Sequence, residues 1–254
     1  IKSEFHNLTG IVDVYPAVNP LGLDARTRAV PISDIDYSSA FPGDINGGLE
    51  DYTAAKLLED IKGASCCIDI HSSNIFLQEV PQVRLNDDYD ETLLHLSKYM
   101  NTDLVWIHPS QTVNEGSLAY ALNQMGIPTM VTESGAAFRI RYEYCRQIID
   151  GIFSVMAELG IWKGKTNGKT DVPFINEDKI CYLNCESSGL FVSYKRLKDH
   201  VKKGEIIGII QNPLMGATEE EVIAPVDGIL MTLREHPSVT EGSLVARVIG
   251  GGKL

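Results

Sequence analysis

Asp69-Ile70-His71-Ser72-Ser73-Asn74, followed by Glu79 and Arg84, gathers an imidazole, two hydroxyls, an amide, two carboxylates and a guanidinium within one short stretch. These groups come directly after an apolar run, Ala64 to Ile70, that reads as a buried strand. An α/β sheet presents reaction centres at such strand ends. An imidazole there can ligate a metal or cap the strand by hydrogen bonding, and one histidine cannot hold a metal alone. Asp69 shares a strand face with His71 through the two-residue period, so it can orient a neighbour or bond backbone. His108 ends a second strand candidate and is a further candidate to line the cleft.

The elements that must position these groups alternate along the first part of the chain. Strands are expected at Ile11 to Tyr15, Ala64 to Ile70, Asp103 to His108 and Pro128 to Thr132. Helices are expected at Leu49 to Ile61, Asp90 to Met100, Glu115 to Met125 and Tyr142 to Leu159. Such alternation predicts an α/β domain over residues 1–164, a mostly parallel sheet flanked by helices. Leu21 to Gly48 lacks periodicity, and a loop of that length in a compact domain is usually functional. A polar, glycine-bearing linker is expected at 165–170. Beyond it, residues 171–254 read as all-β, with short strands at Ile180 to Cys185, Gly189 to Tyr194, Glu205 to Ile210, Glu221 to Ala224, Gly228 to Leu233 and Ser243 to Val248.

Composition sets the outer limits. The chain has 254 residues, is 44% hydrophobic and carries a formal charge of -12, which is long enough for one main and one smaller domain and argues against nucleic acid as a partner. Its apolar stretches are strand-length and broken by charges, so no membrane partner is expected. The five cysteines lack zinc-ribbon spacing and read as reduced core residues of a cytoplasmic protein. A small-molecule substrate is the expected partner, and a homo-oligomer is compatible with the composition.

Taken in order, Asn19-Pro20-Leu21-Gly22, Arg28, Pro31, Asp34, Asp36, Phe41-Pro42-Gly43, Asp69-Ile70-His71 and Thr132-Glu133-Ser134-Gly135 resemble the succinylglutamate desuccinylase and aspartoacylase family. The resemblance spans nearly the whole chain and implies a zinc-carboxypeptidase-like fold with a C-terminal β-domain. It implies Zn2+ as cofactor, with a metal-bound water attacking an amide of a small N-acyl amino acid or related conjugate. In it His71 matches a zinc ligand, Glu133 the catalytic glutamate, and Arg28 the arginine that polarises the carbonyl or grips an acyl carboxylate. Arg26 is close enough in sequence to compete with Arg28. Arg84 and Arg139 are candidates for carboxylate binding, or for pairing with Glu79 and Glu143. The phrases Val201-Lys202-Lys203-Gly204-Glu205 and Ala224-Pro225-Val226-Asp227-Gly228 resemble the barrel-sandwich fold of lipoyl and biotinyl carriers. With no lysine between Lys203 and Lys253 to modify, that barrel is expected to be structural or to shield substrate.

The chain departs from the family pattern twice. The His-x-x-Glu motif that supplies two zinc ligands is not found, and the resemblance implies that it would precede Ile1, leaving the catalytic domain N-terminally incomplete. Where family members carry Asn and Arg before Phe-Pro-Gly, this chain has Ser38 and Ser39, whose hydroxyls make no charged bidentate pair. Ser38 and Ser39 therefore line the expected substrate position while pointing away from an acidic substrate. A carboxypeptidase acting on small peptides and a catalytically silent ligand-binding relative are the alternative readings.

Overall fold

The computed structural model describes residues 4–109 and 115–251. Five helices are present among them: α1 (Pro20–Ala25), α2 (Leu49–Ile61), α3 (Glu91–Ser97), α4 (Leu118–Gln124) and α5 (Tyr142–Glu158). The strands are β1 (Cys67–Ser72), β2 (Leu77–Asn86), β3 (Leu104–His108), β4 (Thr129–Gly135) and β5 (Phe174–Asn176), then β6 (Ile180–Asn184), β7 (Gly189–Ser193), β8 (His200–Val201) and β9 (Ile206–Gln211). The series closes with β10 (Thr218–Ile223), β11 (Gly228–Arg234), β12 (Ser238–Val239) and β13 (Leu244–Gly250).

Each helix forms where its apolar spacing and caps agree. α2 starts after Gly48, has Glu50 and Asp51 in its first turn, and buries Ala54, Leu58 and Ile61 at helical spacing. Asp90 and Ser117 cap α3 and α4 by accepting from the Thr92 and Tyr120 amides. α1, unforeseen in the aperiodic 21–48 segment, is set by Pro20 in its first turn and by Asn19, which accepts from the Gly22 amide at 2.9 Å. α5 packs so closely on the chain below it that a Cβ at Gly151 would lie 1.9 Å from the Met100 carbonyl oxygen.

β1 and β4 run parallel, β4 and β2 antiparallel, β2 and β3 parallel, and β3 and β5 parallel. α3 and α5 cover one face of this sheet, where Leu93, Leu96, Ile148 and Val155 pack on Val83, Val105 and Met130. α2 and α4 cover the end of the other face beside Cys67, through Ala54, Leu58, Ile61 and Leu122. Full burial of each of these leucine, isoleucine, valine and methionine side chains contributes roughly 1.5–3 kcal/mol. This is the α/β architecture expected, with a mixed rather than uniform strand direction. No helix among the described residues is long and apolar enough to cross a membrane.

Two expectations fail in instructive ways. Residues 11–15 form no strand: Ile11 and Val14 are exposed, and β1 pairs only with β4 among the described strands, so the β-prone run has no ladder to join. β2 was hidden within the segment read as a site motif, yet it is the central strand, bonded to β3, β4 and β11. Pro81 and the charges Glu79 and Arg84 obscured it, because proline donates nothing to a ladder. The structure tolerates Pro81 at a register shift between Glu79 and Gln82. β11 then pairs with β2, and β13 and β6 follow, so these C-terminal strands extend the sheet that carries the site. β10, β9, β7 and β12 form a second, four-stranded sheet, and Phe191, Ile207, Ile210, Leu230 and Val248 lie in the core cluster that joins the two.

Candidate active site

β1 and β4 set the centre of the site. Their parallel register places His71 directly beside Glu133, and successive alternation puts Asp69, His71 and Glu133 on one face. Gly135, at φ 66°, then turns the chain out of β4 just beyond Glu133 and Ser134. Asp69 Oδ2 lies 3.1 Å from His71 Nε2, so the neutral ring donates from Nε2 and keeps its lone pair on Nδ1. This carboxylate is also the first cause of a raised His71 pKa, with burial opposing it.

Glu133 is 13% exposed, with one carboxylate oxygen 3.6 Å from Arg84 Nη1 and the other without a protein partner. Desolvation pushes its pKa up, against the pull of the Arg84 guanidinium. Arg84 cannot restore an ordinary carboxylate because it is shared: its Nη2 donates to Glu79 Oε2 at 2.8 Å. Glu79, 2% exposed, also accepts from Arg247 Nη1 at 2.6 Å. A carboxylate whose basicity is raised by desolvation accepts a proton more readily and can hand it on.

The loop before α2 brings the remaining expected residues. Arg28 is bonded through Nε to Asp36 and donates from Nη2 to Ser38 Oγ at 3.1 Å. Asp36 also accepts from the Ser38 amide, which fixes the short helical turn Tyr37–Ser39. Ser39 Oγ donates to the Asp36 carbonyl at 3.2 Å. The Arg28 charge reaches both His71 and Glu133. Arg26 instead ends α1 in a left-handed conformation. Arg139 stands apart, largely exposed with Nε 3.6 Å from Glu235. His108 lies at the far end of the sheet from His71, because β3 runs antiparallel to β4 by way of β2. It stacks on Trp106 at 4.1 Å, and burial lowers its pKa to about 4, which leaves it neutral and outside the cleft.

The pairing of Arg84 with Glu79 is the one expected, whereas Gln82 and Arg247 were not foreseen. The signal for Arg247 was a charge inside the apolar run Leu244 to Gly250, and Glu79 likewise interrupts a strand-length run. A buried charge needs a partner, so two such interruptions point toward one another.

A tetrahedral catalytic zinc takes three protein ligands. No group of three or more His, Cys, Asp or Glu side chains among the described residues is arranged to hold a metal. His71 Nδ1 offers one leg, so this donor set does not fit a complete zinc site, and no step below runs through a metal.

A product-bound ectoine utilization protein EutE (DoeB) from Ruegeria pomeroyi superimposes with a TM-score of 0.82 at 22% identity, over 96% of this chain and 76% of that one. A succinylglutamate desuccinylase from Silicibacter sp. TM1040 gives 0.84 at 23% identity, with 96% and 76% covered. The chain has the succinylglutamate desuccinylase/aspartoacylase fold. A protein of that description from Rhodobacter sphaeroides agrees, at TM-score 0.79 and 23% identity over 98% and 78% of the two chains. No family model and no curated protein matches the sequence. The desuccinylase/aspartoacylase fold thus bears out the resemblance drawn from the sequence at the level of architecture.

The His71 ring supplies a pH test within this fold. Its folded pKa lies above the ordinary 6.5, so the stabilisation from Asp69 is complete below that value and lost as pH rises through the folded value. Thermal unfolding of the parent and Asp69→Asn, scanned from acid to alkaline pH, is expected to show a gap that narrows with rising pH. A gap that widens instead would mean that the neutral ring is the favoured form.

Proposed function

We propose that this chain is a deacylase that hydrolyses the amide bond of a small N-acyl amino acid or a related conjugate. The observation that carries this reading is the adjacency of His71 and buried Glu133 across β1 and β4, within reach of the Arg28 charge. Glu133 takes a proton from the attacking water and delivers it to the leaving nitrogen. Arg28 stabilises the negative charge that develops on the scissile carbonyl. Asp69 holds the His71 ring so that Nδ1 faces the reaction. Ser38 and Ser39 bound the substrate position with hydroxyls, one already engaged by Arg28, which favours an uncharged acyl group over a dicarboxylate. Arg84 and Arg139 are assigned to substrate carboxylates only after their present partners, Glu79 and Glu235, are accounted for.

Zinc belongs to this reading with His71 as one ligand and the other ligands supplied from outside the described residues. A catalytically silent ligand-binding protein is the second reading, favoured by that single available imidazole. Amine release from a panel of N-acyl amino acids, with zinc content measured on the same purified protein, separates the two. Hydrolysis of at least one conjugate is expected. Neither turnover nor retained zinc would leave the silent reading standing.

A further inference from the structure

Four charged side chains alternate in sign across the sheet: Glu133 on β4, Arg84 and Glu79 on β2, and Arg247 on β13. The last contacts follow the register. Glu79 stands opposite Thr232 on β11, Thr232 opposite Arg247, and Arg247 opposite Tyr182 on β6, so one cross-strand row runs from the site to the C-terminal strands. Thr232 Oγ1 donates to Glu79 Oε1 at 3.4 Å and accepts from Arg247 Nη1 at 3.3 Å.

Both guanidiniums lie over Trp106, 5.2 Å from its ring centroid for Arg84 and 5.3 Å for Arg247. The ring is itself fixed, since Trp106 Nε1 donates to Glu177 at 2.8 Å and Tyr182 donates to the same carboxylate at 2.7 Å. Arg247 also lies over the Tyr182 ring at 5.0 Å. Arg84 is thus supported on one side and divided between two carboxylates on the other.

We propose that Arg247 is a positioning residue for the candidate active site: by holding Glu79, it leaves one nitrogen of Arg84 free to face Glu133. With Arg247 present, two cations serve two carboxylates. Without it, Arg84 alone meets two buried anions, and the closer contact, to Glu79, prevails over the longer one to Glu133. A strand some 160 residues beyond β2 in the chain, by the 168-residue separation of Arg247 from Glu79, thereby sets the charge that Glu133 feels.

The kinetic part of the test rests on the proposed deacylase reading, and the structural part does not. Crystal structures and kinetics are compared for the parent, Arg247→Met and the double variant Arg247→Met/Glu79→Gln. In Arg247→Met, Arg84 is expected to close on Glu79 and move beyond about 4 Å from Glu133. Its kcat is expected to fall on the order of 10- to 100-fold while KM stays within about twofold. Neutralising Glu79 in the double variant is expected to return Arg84 to Glu133 and restore most of kcat. Arg247→Lys, which keeps the cation, is expected to fall between parent and Arg247→Met and serves if the methionine variant does not fold. An Arg84 that keeps its place in Arg247→Met, or a double variant no better than the single one, overturns the proposal. If the parent hydrolyses no amide, the deacylase reading fails, and the position of Arg84 still decides the role of Arg247.

Discussion

Glu133→Gln is expected to reduce amide hydrolysis by roughly 10²–10⁴-fold while leaving the fold intact, the loss associated with a missing general acid and base. Glutamine keeps the shape of the side chain and one acceptor oxygen, and removes its charge and its ability to carry a proton back and forth. The same substitution should raise, not lower, the thermal midpoint at neutral pH. Burial raises the Glu133 pKa above its ordinary 4.5, so stability falls as pH rises from that ordinary value and the loss is complete above the folded value. Below that ordinary value the carboxyl is neutral in both states and the two proteins should unfold alike. Turnover of the chosen conjugate and unfolding scans between acid and neutral pH check both halves. Unchanged turnover would remove Glu133 from the mechanism, and an unchanged midpoint would show that its carboxylate is solvated after all.

The largest expected loss of stability follows from Glu79→Ala. Glu79 accepts from both Arg84 and Arg247 and is almost wholly buried. Its removal leaves two neighbouring guanidiniums without their shared anion, and breaking a buried ion pair in this way costs about 3–5 kcal/mol. Denaturant unfolding is the measure. Because the cost arises from unpaired charge and not from a lost cavity filler, adding Arg247→Met to Glu79→Ala should recover a substantial part of it. Additive losses in that double variant would point to packing instead.

How much of this was legible in the sequence can be followed residue by residue. The helices α2 and α5 were evident because Ala54, Leu58 and Ile61, and Ile148 and Val155, repeat at helical spacing without interruption. β1, β3 and β4 were evident as short apolar runs ending in polar residues, and those endings named His71 and Glu133. β2 was not, since Glu79, Gln82 and Arg84 interrupt its buried Leu77, Val80, Val83 and Leu85 and look solvated until their partners are known. Those partners lie on strands far along the chain, and pairing between distant strands leaves no local pattern. The run 11–15 failed for the opposite reason: β-branched residues suggest a strand, but strand formation needs a neighbour to bond with.

The pairing of β11 on β2 bears on how this chain could be cut or joined. The polar stretch at 165–170 looks like a natural place to separate two halves for expression or fusion. A break there would strip the ladder from Leu77 to Glu79 and leave the central strand with bare amide and carbonyl groups beside the site. It would also strand Glu79 and Arg84 without Arg247. The front half would then carry a sticky edge where it should carry a rigid wall. Grafts and insertions are better directed to the turn at Leu214 and Met215, which are exposed at the tip of the second sheet.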